Sequence, residues 1–72
     1  MSALSVLFYG RMKREGITTK QLSETMSAST NTVRKWLNNP EEMPLGVLLL
    51  MAKAIGIRRR ELWAAIERSA NA

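Results

Sequence analysis

The chain has 72 residues, enough for one domain and near the lower limit at which a single core supports independent folding. It holds no cysteine and no histidine, which removes a disulfide framework, a zinc-built finger, a thiolate nucleophile and the commonest general base of an enzyme site. Eleven Lys and Arg against six Asp and Glu give a net charge of +5, which favours a polyanionic partner without distinguishing nucleic acid, an acidic protein or a membrane surface.

The first stretch, Met1 to Tyr9, carries no basic start and runs straight into Arg11-Met-Lys-Arg14, so it reads as an amphipathic helix and not as a secretory leader. Leu4, Leu7 and Phe8 stand at i, i+3 and i+4 and continue to Met12, giving that helix a core face. Gly10 weakens its middle, and Gly16 is a fitting stop. Thr18 precedes Thr19-Lys20-Gln21, so its hydroxyl can accept from the Gln21 backbone N–H while the Gln21 side chain reaches back. A second helix is therefore predicted to start at Thr19, with Leu22 and Met26 as its apolar stripe and Ser23 small enough to let a crossing helix approach.

Ser27-Ala28-Ser29 interrupts the pattern, and Ser29 is the natural N-cap of a third helix over Thr30 to Asn38. Val33, Trp36 and Leu37 mark its buried side, with Trp36 expected to anchor it in the core. Thr30, Asn31, Arg34, Lys35 and Asn38 fall on the opposite arc. Arg bidentate to guanine, Asn bidentate to adenine, Thr to a thymine methyl and Lys to a base or a phosphate are the pairings such an arc can make with DNA. The plain alternative is a solvated helix face. The paired caps, the short break and the small residue at the crossing weigh toward recognition.

Pro44 suits the first turn of a fourth helix closed by Gly56, with Leu45, Leu48, Leu49, Ala52 and Ile55 as its buried stripe. The apolar run Leu45 to Met51 falls far short of the ~20 residues a membrane span requires. A fifth helix, Arg59 to Arg68, is predicted to bury Leu62 and Ile66. Val47, Leu50 and Trp63 are left over: either the bundle wraps them, or they form a patch that pairs two copies. Arg58, Arg59 and Arg60 oppose the dipole at the start of the last helix, with Glu61 as partial compensation; phosphate contact, an acidic partner and solubility are all open explanations. Ser69 to Ala72 reads as a loose tail, which gives a domain over residues 1–68 and a flexible tail over 69–72.

The stretch from Gly16 to Asn38 resembles the helix-turn-helix of the phage repressor and Cro-like (lambda-repressor-like) family, and the similarity continues through Leu48-Leu-Leu-Met-Ala-Lys-Ala-Ile-Gly56 to Glu61-Leu62. The resemblance implies an all-α compact bundle of about five short helices, with the second helix of the motif in the major groove and often a dimer on a palindromic operator. It puts Thr30, Asn31, Arg34 and Lys35 at base-reading positions, and Thr18, Thr19, Lys20, Ser29, Asn38 and Asn39 along the DNA backbone. Several positions depart from the family's pattern. Thr19 stands where Gln is common, Ser23 where Ala is usual and Ser27 where Gly is common, so Ser27 must either accept a left-handed backbone or force a different turn. An Arg–Glu pair found in many members is matched here by Met12 and Leu37, and the loop after the third helix carries Glu41 and Glu42, which must point away from DNA or weaken binding.

The chain is thus expected to be a transcriptional regulator that binds double-stranded DNA, a phage or mobile-element repressor acting as a homodimer in the cytoplasm. No cofactor, metal, small-molecule ligand, membrane partner or enzymatic activity is expected. The rival is a DNA-binding antitoxin or a protein-interaction adaptor of the same fold, which Glu41 and Glu42 favour.

Overall fold

A computed structural model describes residues 2–71. Five α-helices follow one another: α1 (Ala3–Glu15), α2 (Thr19–Met26), α3 (Thr30–Asn38), α4 (Leu45–Ile55) and α5 (Arg59–Asn71), with a single 3-10 turn, Pro40–Glu42, between α3 and α4. Their boundaries follow from local chemistry. The Ser2 hydroxyl accepts from the Ser5 N–H and starts α1, and Gly16, left-handed at φ 68°, ends it. Both halves of the predicted capping box open α2: Thr18 Oγ1 accepts from the Gln21 N–H at 3.1 Å, and Gln21 Oε1 accepts from the Thr18 N–H at 2.9 Å. Ser29 Oγ accepts from the Thr32 N–H at 3.1 Å and opens α3. The break between α2 and α3 turns on Ser27, which takes the left-handed backbone (φ 53°, ψ 44°) that Gly would adopt more easily.

The core gathers Leu4, Phe8 and Met12 from α1, Leu22 from α2, Val33 and Leu37 from α3, and the inner faces of α4 and α5. Each such side chain withdrawn from water contributes roughly 1.5 to 3 kcal/mol, so a core of this size can hold the bundle together. α1 lies at the centre of the packing, against α3, α4 and α5, while α2 packs on α3 and α4. Met12 and Leu37 are both buried in this cluster, as expected for the apolar substitute of an ion pair.

Four details differ from expectation. The buried arc of α4 is Leu48, Met51, Ala52 and Ile55; Leu45 and Leu49 are 68% and 50% exposed. A helix apolar on nearly every side has no polar face to fix its rotation, and here the Val47–Met51 edge turns inward while the Leu45–Leu49 edge turns out. Pro44 stands at the N-cap of α4 and not inside its first turn. Trp36 is only partly buried, at the margin of the core, and Val33 and Leu37 do the anchoring. Finally, α5 runs past Arg68 to Asn71, and Ser69 Oγ accepts the Leu4 N–H at 3.2 Å, so this residue of the expected tail satisfies an otherwise orphan donor in the first turn of α1. Ala72 lies outside the described residues.

Candidate nucleic-acid interface

The site is built on α3. Val33 and Leu37, fully buried, fix the helix by one side, and the spacing of 3.6 residues per turn then aims Asn31, Arg34 and Lys35 at solvent. All three are exposed, and Thr30 beside them is partly so. Among the described residues, neither Arg34 nor Lys35 has a carboxylate within ion-pair distance, so both cations are uncommitted. The arrangement offers a guanidinium, an ammonium, a carboxamide and a hydroxyl from one short rigid rod, which is the donor and acceptor set needed to read base edges.

The far end of α3 is tied to α1 by two contacts that sequence reasoning missed. The buried Ser5 hydroxyl donates to the Leu37 carbonyl at 2.7 Å, supplying a partner to a helix-end acceptor. The Tyr9 hydroxyl, one turn further along α1, donates to Asn38 Oδ1 at 2.7 Å and leaves the Asn38 amide nitrogen as a free donor facing water. The signal was faint: a Ser and a Tyr four residues apart on a helix otherwise read for its leucines.

The residues expected along the DNA backbone are placed unevenly. Thr18, Lys20, Asn38 and Asn39 are exposed, and Thr19 is partly so. The Ser29 hydroxyl is already committed, accepting from the Thr32 N–H and donating to Thr32 Oγ1 at 2.9 Å. After α3, the N–H groups of Asn39, Glu42 and Met43 donate to Lys35, Asn39 and Pro40 carbonyls, so this loop presents side chains more than those amides. Glu41 is exposed on the rim of a groove shared with Trp63 of α5.

The three residues considered as a pairing face do not share one groove. Val47 is partly buried against the core, Leu50 is half exposed on the outer side of α4, and Trp63 is 62% exposed beside Leu45. At the start of α5, Glu61 does more than offset its arginines. Its carboxylate accepts from the Arg58 N–H at 3.1 Å and pairs with Arg11 of α1, which also donates to the Gly56 carbonyl. The Arg11 hydrogen bond, then the Arg58 N–H, hold the Glu61 carboxyl below its ordinary range, and Glu61 in turn raises Arg11.

A family model described as the Cro/C1-type HTH DNA-binding domain matches residues 10–67, well over half the chain. The chain therefore belongs to the Cro/C1-type helix-turn-helix DNA-binding family. No curated protein and no solved structure matches it. No helix among the described residues is long and apolar enough to cross a membrane.

Proposed function

We propose that this member of the Cro/C1-type family is a transcriptional repressor of phage or mobile-element type, which reads an operator in double-stranded DNA as a homodimer within the cytoplasm. The observation that supports this reading best is the outward arc of α3: Asn31, Arg34 and Lys35 stand clear of the bundle on a helix pinned from behind by Val33 and Leu37. Thr30, Asn31, Arg34 and Lys35 would touch base edges. Thr18, Thr19, Lys20, Asn38 and Asn39 would hold phosphates, with Ser29 joining them only if its hydroxyl leaves Thr32. Two copies on half-sites about one helical turn apart, roughly 34 Å, would multiply the specificity of one small reader, and an occupied operator would exclude polymerase.

In vitro selection from random duplexes tests the reading. A palindromic consensus is expected; enrichment of no sequence would end it. The exposed Glu41 and Glu42 favour a second reading, in which the same fold is a DNA-binding antitoxin or an adaptor that meets a protein. An adaptor that has lost DNA contact would leave no trace of binding to random duplex even at low salt.

A further inference from the structure

α1 meets the last turn of α3 through two hydroxyls that stand one helical turn apart on the same side of α1. Ser5, wholly buried, donates to the Leu37 carbonyl at 2.7 Å and lies within 3.4 Å of the Asn38 carbonyl, so the main chain at this end of α3 is held from inside the bundle. Tyr9, partly buried, holds the side chain: its hydroxyl donates to Asn38 Oδ1 at 2.7 Å. Asn38 itself is exposed and follows Asn31, Arg34 and Lys35 along one edge of α3. A free carboxamide there could turn either its oxygen or its nitrogen outward. Tyr9 fixes which end it turns.

The consequence is chemical. A carboxamide reads an adenine edge only when it offers its oxygen and its nitrogen together, whereas a phosphate oxygen asks for donors alone. With Oδ1 engaged by Tyr9, Asn38 offers the Nδ2 hydrogens outward. We infer that Tyr9 is a positioning residue for DNA binding: it sets Asn38 as a donor to a phosphate oxygen at the end of α3 and takes it out of base reading. The Tyr9 proton is committed to Oδ1, so Tyr9 acts through Asn38 and not by touching the duplex. Because the amide is oriented before DNA arrives, less side-chain freedom is lost when the contact forms. The inference rests on the proposed docking of α3 against a duplex, and on neither the repressor role nor the dimer.

The affinity of the full chain for the selected duplex and for random duplex, followed across a salt series, tests it in Tyr9→Phe, Asn38→Ala and the double variant, each shown to be folded by circular dichroism. Tyr9→Phe removes one hydroxyl and keeps the ring, and should weaken both duplexes alike by roughly three- to tenfold. The slope of log K against log salt should stay where it was, since a neutral amide displaces no counterion. Asn38→Ala should weaken binding at least as much, and adding Tyr9→Phe to it should change nothing further, because the hydroxyl then has nothing to orient. Additive losses would put the Tyr9 hydroxyl on the duplex itself and overturn the proposal. So would an undiminished affinity in Tyr9→Phe, or a loss confined to the selected duplex, which would make Asn38 a reader of bases. A native chain that binds no duplex removes the docking of α3 as well; a native chain that binds, beside a Tyr9→Phe variant that equals it, removes only the role of Tyr9.

Discussion

Single side chains decide two separable properties, what the protein reads and how firmly its motif is held. Arg34 is exposed and uncommitted on α3, so removing its side chain leaves the core untouched and deletes only what it would say to a base. Arg34→Ala is expected to lower preference for the selected site by about 1 to 3 kcal/mol with little change in unfolding temperature. Competition binding of cognate against random duplex measures this, and an unchanged ratio would remove Arg34 from the reading set. Ser27 is the counter-case, exposed and shaped by backbone alone. Its left-handed conformation at φ 53° costs an L-residue on the order of 1 kcal/mol, part of which Gly gives back through its freer unfolded chain. Ser27→Gly should therefore stabilise by up to ~1 kcal/mol, raising the midpoint by a few degrees for a domain of this size. A lower midpoint would mean that the Ser27 side chain holds the turn.

The helices show how far the sequence could be read and where it went silent. The boundaries of α2 and α3 were legible because a cap is a local bond: Thr18 with Gln21 and Ser29 with Thr32 are decided within four residues. The outward arc of α3 was legible because its apolar and polar residues separate cleanly around the helix. The rotation of α4 was not, since Leu45, Val47, Leu48, Leu49, Leu50 and Met51 satisfy several helical stripes equally and only the packing of α1 and α2 selects one. Ser5, Tyr9 and Ser69 were missed for a related reason, that their partners lie 32, 29 and 65 residues away and no local pattern announces them. The Arg11–Glu61 pair, 50 residues apart, is the same kind of link between α1 and α5, and it has a pH signature. Glu61 has a folded pKa below its ordinary value of 4.5, so the folded state binds fewer protons than the unfolded one across that range. Its contribution is complete above that value and fades as pH falls through the lower, folded one. Melting of the native chain and of Glu61→Gln between pH 7 and pH 3 should accordingly give midpoints that differ at neutral pH and converge in acid. A gap of constant size would show that Glu61 acts through packing and not through its charge.

At the scale of the whole molecule, a radius of gyration of 11.1 Å matches the ~11 Å of a closely packed chain of this length, so its charges sit on a small body and act nearly as one field. That field is +5, yet it is not uniform: Lys20, Arg34 and Lys35 belong to the motif, whereas Arg58, Arg59 and Arg60 open the last helix. The two groups predict different dependences on salt. If only the three cations of the motif meet phosphate, each protein copy displaces about three counterions, and log K against log salt falls with a slope near −2.7 for one copy on a half-site and about twice that for a dimer on its palindrome. Participation of the three arginines would steepen the half-site slope to roughly −5. Lys20→Ala discriminates further, because a phosphate contact carries no sequence information: it should weaken cognate and random duplex alike and reduce the slope by about 0.9 per copy. Arg58→Ala should leave the slope where it was. If Arg58→Ala flattened the curve and Lys20→Ala did not, the duplex would have to lie across the start of α5, and the assignment of α2 and α3 as the DNA-facing pair would be wrong.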